Sequence, residues 1–308
     1  MSLVEKALKR MQANARPQQR PVAAEQLVVG KVVAADLRPP SPEQQDARWP
    51  TRAGRTVRLD LDALRAAALI PPPEQERELA DQYRAIKRPL IRAAFDGEPQ
   101  DPMRQVIMMA SALPGDGKTF TCINLAMSIA QEKDHAVLLV DGDVAKPHVS
   151  RVFGVQNEPG LLDVVADPTL DLGSVILATD VPKLSILPAG RQSNNATELL
   201  ASARMRQIMQ DLPRLQRSGL VMVDSPPILL TSEARVLATL AGQVVLVVKA
   251  NQTPQQAVRD AIEIIGPSAN LKLVLNQADL SGPMGYYYGY RYGYQQQAAD
   301  AESAAKPE

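Results

Sequence analysis

A glycine-rich loop between an apolar segment and a helical segment constrains the fold of this chain more than any other feature. Residues 111–119 read Ser-Ala-Leu-Pro-Gly-Asp-Gly-Lys-Thr. Gly115 and Gly117 allow backbone N–H groups to turn toward an anion, with the positive end of the following helix behind them. Lys118 then contacts the β- and γ-phosphates of a nucleotide, and the hydroxyl of Thr119 binds Mg²⁺. The predicted nucleotide-binding residues of this loop are Pro114, Gly115, Asp116, Gly117, Lys118, Thr119 and Phe120.

The first glycine of the usual phosphate-loop pattern is alanine here, so the formal match is weakened. The alternative is a glycine-rich turn that binds no ligand. The intact Gly-Asp-Gly-Lys-Thr core, placed between a predicted strand and a predicted helix, favours the phosphate loop.

The chain after residue 101 alternates between short apolar runs and helical patterns. Near-continuous apolar runs are typical of strands buried on both faces, and helices between them indicate parallel connections. The sequence therefore predicts an α/β fold of the P-loop NTPase type, with a mostly parallel sheet and helices on both faces. The predicted strands are residues 106–110, 136–140, 184–187, 220–223, 244–248 and 271–275, and the predicted helices are residues 118–130, 196–212, 232–240 and 254–265.

Proline-rich and low-complexity segments divide the chain into three predicted parts. Residues 1–73 are basic and rich in proline, and we expect them to be largely disordered, apart from a short amphipathic helix over residues 2–11. That helix either frays or docks on a partner or an anionic membrane surface. The compact domain is expected over residues 74–280, beginning with a helix that is kinked or broken near Pro89. Residues 281–308, the tyrosine tail, are expected to be flexible.

Composition excludes several classes of protein. The chain has 308 residues, 34 Lys+Arg, 34 Asp+Glu and one cysteine, Cys122. One cysteine excludes a disulfide scaffold and a multi-cysteine metal site, and the balanced charge argues against nucleic-acid binding by bulk electrostatics. We find no run of about 18 apolar residues and no secretory signal. We therefore expect a cytoplasmic protein that does not bind nucleic acid.

Three aspartates follow predicted strands. Asp141 and Asp143 end the second of these strands, and Asp224 ends the fourth. Because the carboxyl ends of parallel strands line the crevice where ligands bind, we expect these carboxylates beside the phosphate loop. A single aspartate after a strand is usually a turn or cap residue. Three of them in a chain with a phosphate loop favour a metal-assisted nucleotide site.

These motifs resemble those of the bacterial tyrosine kinases, the P-loop autokinases of polysaccharide synthesis and export. The loop, the Val-Leu-Leu-Val-Asp-Gly-Asp segment and the Val-Met-Val-Asp-Ser-Pro-Pro segment resemble the Walker A, A′ and B motifs of that family. The resemblance covers about residues 76–295. Residues 57–61 and 83–90 further resemble the subgroup linked to exosortase and exopolysaccharide gene clusters, in which the kinase is a separate cytoplasmic chain.

The resemblance implies a tyrosine autokinase that uses ATP and Mg²⁺. Lys118 would stabilise the phosphates, while Thr119, Asp143 and Asp224 would bind the metal or its waters. Asp141 would accept the tyrosine proton, a role that it could exchange with Asp143. Asn276, which ends the last predicted strand, is a candidate for reading the base.

The resemblance also implies an oligomer, with two departures from the family pattern. The arginine of the A′ motif is Ala145 here, with Lys146 beside it. The oligomerisation motif E-x-x-R-x-x-R is represented by Asp81, Arg84 and Lys87, and lysine lacks the bidentate fork of arginine. A homo-oligomeric ring is implied, and an ordinary solvated charged face is the alternative.

Six of the seven tyrosines fall within nine residues near the C-terminus. A packed core would not use this segment, because its glycines and consecutive aromatics have neither helical nor strand periodicity. We expect accessible phosphoacceptors, and the alternatives are an adhesive low-complexity tail or an interfacial aromatic belt. The candidate phosphoacceptors are Tyr286, Tyr287, Tyr288, Tyr290, Tyr292 and Tyr294.

Three other functions compete with the autokinase. The first is a partitioning or division-site ATPase that acts as a switch, although residues 112–114 lack the signature lysine of those proteins. The second is a GTPase, suggested by residues 276–279, and the third is a non-catalytic scaffold. For the autokinase, the resemblance implies a membrane-embedded polysaccharide co-polymerase as activator, a tyrosine phosphatase, and a peripheral location at the inner face of the membrane.

Overall fold

The fold is seen in a computed structural model, which describes residues 30–34, 49–51, 55–96, 101–267 and 270–278. Within these residues, nine strands form one sheet in the order β1-β2-β5-β6-β4-β7-β3-β8-β9. Their bounds are β1 Gly30–Ala34, β2 Arg55–Leu59, β3 Val106–Ser111, β4 Ala136–Asp141, β5 Leu177–Thr179, β6 Leu184–Leu187, β7 Gly219–Asp224, β8 Gln243–Lys249 and β9 Asn270–Asn276.

The six strands from β6 to β9 in this order run parallel to one another. Antiparallel pairs occur only between β1 and β2 and between β5 and β6 among the described strands. All residues of β3, β4 and β7 are buried, as the apolar runs predicted. The register places Asp141 of β4 opposite Asp224 of β7, so both end at the same edge of the sheet.

Helices cover both faces of the sheet, which confirms the predicted P-loop NTPase architecture. One apolar layer includes residues of α5 to α9, and the other includes residues of α1 to α4. The bounds are α1 Leu61–Ala66, α2 Glu76–Phe95, α3 Lys118–Ala130, α4 His148–Val152, α5 Leu161–Ala166, α6 Ala196–Leu200, α7 Ala203–Leu215, α8 Ser232–Thr239 and α9 Gln255–Ile265.

The expected start of the compact domain at residue 74 is wrong, because β1, β2 and α1 precede it and belong to the sheet or its cover. Strand β2 pairs with β5, and Val57 and Leu59 point inward at alternate positions. Leu64, in α1, is fully buried in the layer that also contains α3. Asn124 of α3 donates to the carbonyl of Leu69 at 2.8 Å. The segment is held by a few well-placed apolar side chains, not by a long apolar run.

The helix that was expected to be kinked or broken at Pro89 is assigned as one element from Glu76 to Phe95. Proline removes the hydrogen bond that would reach the carbonyl of Ala85. Both Ala85 and Pro89 are exposed, so water can satisfy that carbonyl. The predicted helix over residues 2–11 and the tyrosine tail lie outside the described residues.

In the described part of the chain, no helix combines the length and the apolar character that crossing a bilayer requires.

Replacing Leu64 by alanine is expected to lower the free energy of unfolding by about 2–5 kcal/mol, because it leaves a cavity in a packed layer. Leu61 lies on the same helix and is 40% exposed, so Leu61→Ala is the matched control, with an effect of about 0.5 kcal/mol or less. Urea unfolding of both variants measures the difference. Equal effects would mean that α1 is not packed on the domain.

Candidate active site

The phosphate loop connects β3 to α3, with Ser111 ending the strand and Lys118 beginning the helix. Gly115 and Gly117 have φ angles of +85° and +89°. These left-handed conformations favour glycine, as the sequence predicted. The backbone N–H groups at the start of α3 have no intrahelical partner, so this end of the helix suits an anion such as a phosphate.

Two neighbouring loops hold the phosphate loop in place. The Asp116 carboxylate accepts from the Thr253 hydroxyl at 2.7 Å and from the N–H of Leu113 at 3.1 Å. The Asn276 side chain donates to the Asp116 carbonyl at 2.9 Å. A Cβ added at Gly117 would lie 1.9 Å from the Asn276 amide nitrogen, so this close approach requires glycine. These hydrogen bonds fix the position of the phosphate loop.

The sequence predicted Asp116 and Asn276 as nucleotide-binding residues, and the structure gives their side chains internal partners. The Asp116 carboxylate is buried and bound to protein groups on both oxygens. The Asn276 oxygen accepts from the N–H of Gln277 at 3.0 Å. Pro114 is exposed at the loop and has no N–H to donate to a phosphate. Phe120 is half-buried in the first turn of α3.

Lys118, Thr119 and Asp224 form one buried cluster at the head of the loop. The Lys118 ammonium lies 2.6 Å from one Asp224 oxygen, and the Thr119 hydroxyl donates to the other at 2.8 Å. The side chains of Lys118 and Asp224 are only 8% and 1% exposed. A lysine, a hydroxyl and a carboxylate are therefore brought together across 106 residues of sequence.

Asp141 lies at the end of β4 and is fully buried. One carboxylate oxygen accepts from the N–H of Ser150 at 2.7 Å. The other is buried and has no hydrogen-bond partner. Burial raises the pKa of this carboxyl to about 7, and the nearby Asp224 and Asp143 add to the effect. A carboxyl with this pKa can hold or accept a proton near neutral pH.

Asp143 differs from Asp141 because it is half-buried and its oxygen accepts from the N–H of Lys146 at 3.1 Å. Burial raises its pKa as well, which Lys146 opposes by donating to the charged form. The two carboxylates bind different backbone amides, so they face different surroundings. Ala145 and Lys146 are exposed beside them, and the Lys146 ammonium is not buried at the position of the missing arginine.

The residues present fit Mg²⁺. Thr119, Asp143 and Asp224 offer the hard oxygen donors that Mg²⁺ prefers, and the second oxygen of Asp141 is unpartnered. Among the described residues no cluster of three His, Cys, Asp or Glu side chains could hold a metal. Mg²⁺ is usually held by one or two carboxylates together with substrate phosphates.

The sequence did not point to three residues of the site. Ser150 donates to Asp141 through its N–H and, through its hydroxyl oxygen, accepts from Ala189 at 3.0 Å. Thr253 holds Asp116. His148 begins α4, and burial lowers the pKa of its imidazole, with Asp224 close enough to oppose that shift. The Thr-Pro pair at residues 253–254 is a helix-start signal, but no sequence pattern joins it to the phosphate loop.

The three predicted oligomerisation residues on α2 are in different environments. Asp81 and Arg84 are exposed and form an ion pair with each other. Lys87 is only 6% exposed at its side chain and binds Glu132 at 2.7 Å and the carbonyl of Ser128 at 2.7 Å. Lys87 therefore fastens α2 to the end of α3 within one chain. The six tail tyrosines lie outside the described residues.

Strand, glycine loop, helix and strand-end carboxylates together define a P-loop nucleotide-binding domain. A family model described as an AAA domain matches residues 104–275. The tyrosine-protein kinase YwqD of Bacillus subtilis is 30% identical over 220 residues, which cover 70% of this chain and 89% of that protein. The kinase domain of the Escherichia coli tyrosine kinase ETK matches with a TM-score of 0.55 and 29% identity, covering 65% of this chain and 77% of that one. The chain belongs to the bacterial tyrosine kinase family.

The chain spans 29% of the length of a longer relative, EpsB of Ralstonia nicotianae, to which it is 33% identical over 226 residues, or 71% of this chain. The structure titled as the BceF tyrosine kinase domain has a TM-score of 0.57 at 23% identity and covers 88% of this chain and 95% of that one. The two chains therefore share a fold at low sequence identity.

Replacing Thr253 by valine is expected to weaken ATP binding about tenfold. Valine keeps the shape of the side chain and removes the hydroxyl that binds Asp116, and a buried acceptor without its donor costs about 1–3 kcal/mol. Thr253→Ser keeps the hydroxyl and is the control. Isothermal titration with ATP measures both, and equal affinities of the two variants would show that the hydroxyl does not position the loop.

Proposed function

We propose that this chain is an ATP-dependent protein-tyrosine kinase that phosphorylates the tyrosine cluster at its own C-terminus, between subunits. The observation that carries the proposal is the buried cluster of Lys118, Thr119 and Asp224, with the unpaired oxygen of Asp141 at the adjacent strand end. Membership in the tyrosine kinase family and the cluster of tyrosines support transfer to tyrosine over hydrolysis alone.

Each residue has a role in this proposal. The loop amides and Lys118 stabilise the phosphates of ATP, and Lys118 exchanges its contact with Asp224 for contacts with phosphate oxygens. Mg²⁺, when bound, neutralises the charge of the phosphates. The bond from the γ-phosphorus to the bridging oxygen breaks and the phenol oxygen takes its place. Asp141 takes the phenol proton, and its pKa of about 7 suits that transfer.

Thr119, Asp143 and Asp224 hold the metal or its waters, and Asn276 with Asp116 positions the loop beside the base. A tyrosine phenol has a pKa of about 10, so a carboxylate of nearly neutral pKa and a nearby cation both help to expose the nucleophile. The half-buried Asp143 is the alternative proton acceptor.

The proposed setting is exopolysaccharide synthesis and export, by resemblance to the subgroup described above. A homo-oligomeric ring built around α2 would place one tyrosine tail near the crevice of the next chain. A membrane-embedded polysaccharide co-polymerase would activate the kinase and place it peripherally at the membrane, and a tyrosine phosphatase would reverse the reaction. The exposed pair of Asp81 and Arg84 is the part of the α2 motif that is open to a neighbour.

A mixing experiment tests transfer between subunits. One chain carries Lys118→Met with an intact tail, and the other carries Phe at Tyr286, Tyr287, Tyr288, Tyr290, Tyr292 and Tyr294 with an intact site. With Mg²⁺ and ATP, mass spectrometry should find phosphotyrosine on the first chain only when both are present. Hydrolysis of ATP without phosphotyrosine would instead identify an ATPase switch of the partitioning type. If the isolated chains form no phosphotyrosine, the cytoplasmic segment of a polysaccharide co-polymerase is added to the mixture.

Phosphorylation is expected to dissociate the oligomer, because each phosphotyrosine adds about 1.5–2 negative charges at neighbouring positions. Light scattering of the phosphorylated and the phosphatase-treated chain compares the two masses. A larger mass for the treated chain is expected, and identical masses would contradict the proposal.

A further inference from the structure

Four arginines of α2 lie on one exposed stripe: Arg77, Arg84, Arg88 and Arg92, here named the α2 arginine stripe. All four are exposed. At about 100° per residue, their positions fall within roughly 80° of one another around the helix. The buried residues Tyr83, Lys87 and Leu90 lie on the opposite side, against α3 and the sheet.

The stripe itself carries four positive charges and only one acid of the same helix. Within it, Asp81 is the one acid, and its ion pair is with Arg84. Of the acids outside the stripe, Glu76 binds Arg65 and Glu132 binds Lys87. Glu74, Glu78 and Asp96 are exposed beside the stripe and form no ion pair with it. Among the described residues, no acid forms an ion pair with the other three arginines of the stripe. A row of free guanidinium groups is suited to a partner with several closely spaced anions.

We propose that the α2 arginine stripe binds the phosphorylated tyrosine cluster of this chain, residues 286–294. The inference rests on the proposed function, because it needs phosphate on those tyrosines. Each phosphotyrosine offers three acceptor oxygens and about −1.5 to −2 charges, and the planar guanidinium binds phosphate in a bidentate manner. Phosphates crowded within nine residues complement several arginines on one helix.

The tail is long enough to reach α2 from the end of β9. The beginning of strand β9 lies near α2, because Lys272 donates to Gln243 at 3.0 Å and Gln243 donates to the carbonyl of Leu90 at 3.1 Å. The strand ends four residues later at Asn276, about 13 Å further along. A 20-residue helix is about 30 Å long. An extended chain from residue 278 covers up to about 28 Å by Tyr286 and about 55 Å by Tyr294. The cluster can therefore reach the stripe of its own chain.

Binding of the phosphorylated tail to the stripe would inhibit the kinase once its own tail is phosphorylated. Arg84 belongs both to the stripe and to the expected oligomerisation motif. A phosphorylated tail bound there would compete with the neighbouring subunit for α2. Unphosphorylated tyrosines lack the charge and would leave α2 free.

The test uses a fluorescent synthetic peptide of residues 283–297 with phosphate on Tyr290, Tyr292 and Tyr294, and the same peptide without phosphate. The protein is the full chain, treated with phosphatase and kept without ATP. Fluorescence anisotropy should show the phosphopeptide binding at least tenfold more tightly than the plain peptide. The triple variant Arg77→Gln, Arg88→Gln and Arg92→Gln should weaken that binding at least tenfold, and it leaves Arg84 in place.

The matched control is the triple variant Arg206→Gln, Arg235→Gln and Arg259→Gln, which removes three exposed arginines from α7, α8 and α9 on the other face. It should change the affinity less than twofold, and thermal unfolding should be unchanged for both triple variants. Equal losses in the two triple variants, or equal binding of both peptides, would overturn the inference.

Binding to vesicles of phosphatidylglycerol is measured to distinguish the phosphorylated tail from a membrane surface as the ligand of the stripe. Loss of vesicle binding in the α2 variant, without phosphopeptide binding to the wild type, would overturn the inference in favour of a lipid surface. Because the peptide is phosphorylated by synthesis, binding does not depend on kinase activity. A failure of the proposed function would appear only in the mixing experiment, so the two failures are distinguishable.

Discussion

Lys118→Met should reduce phosphotyrosine formation by a factor on the order of 10²–10³ or more, and it should also destabilise the protein. The first effect follows because a positive charge aimed at the transferred phosphoryl group is lost. The second follows because Asp224, 1% exposed, is left without its cation. Breaking a buried ion pair on one side costs about 3–5 kcal/mol. Urea unfolding without nucleotide and mass spectrometry of phosphotyrosine measure the two effects separately.

The double variant Lys118→Met and Asp224→Asn is the control for this prediction. It removes both charges, so no uncompensated charge remains buried, and much of the lost stability should return. Activity should not return, because the phosphates still lack the lysine. A single variant as stable as the wild type would show that the pair with Asp224 does not contribute to folding.

The parallel part of the sheet could be predicted from sequence because each of its strands is an uninterrupted apolar run. Helix α3 was predicted with its observed bounds, Lys118–Ala130, since the glycine loop marks its start. Strand β2 was missed because only Val57 and Leu59 of its five residues are buried. A short, partly buried strand next to proline-rich sequence has no pattern that separates it from a disordered segment.

The catalytic candidates at strand ends were predictable because topology alone brings Asp141 and Asp224 to one edge. Their environments were not predictable. The contact of Asp116 with Thr253 spans 137 residues, and the contact of Asp141 with Ser150 depends on how α4 packs. Lys87 was assigned to an oligomer interface by its resemblance to a family motif, and packing against α3 gives it an internal partner. Spacing on a helix identifies a shared face, and only the fold shows what covers it.

Asp141→Asn is expected to stabilise the metal-free protein by roughly 2–4 kcal/mol at pH 8. In the folded protein, burial raises the pKa of Asp141 to about 7, whereas in the unfolded chain the group loses its proton near its ordinary pKa of 3.8. Between these values the folded state binds the extra proton, so wild-type stability falls as pH rises and levels off above about pH 7. Asparagine keeps an acceptor for the Ser150 N–H and removes the charge. The gain should therefore grow from pH 4 to pH 8.

Urea unfolding in EDTA at pH 4, 6 and 8 gives the three comparisons. Asp134 is the control because its carboxylate is exposed, unlike that of Asp141. Asp134→Asn should change the free energy of unfolding by about 0.5 kcal/mol or less at every pH. Despite its greater stability, Asp141→Asn should lose phosphotyrosine formation, because the amide cannot take the phenol proton. A gain that does not vary with pH would mean that Asp141 is ionised without cost, and a proton acceptor would then have to be sought at Asp143.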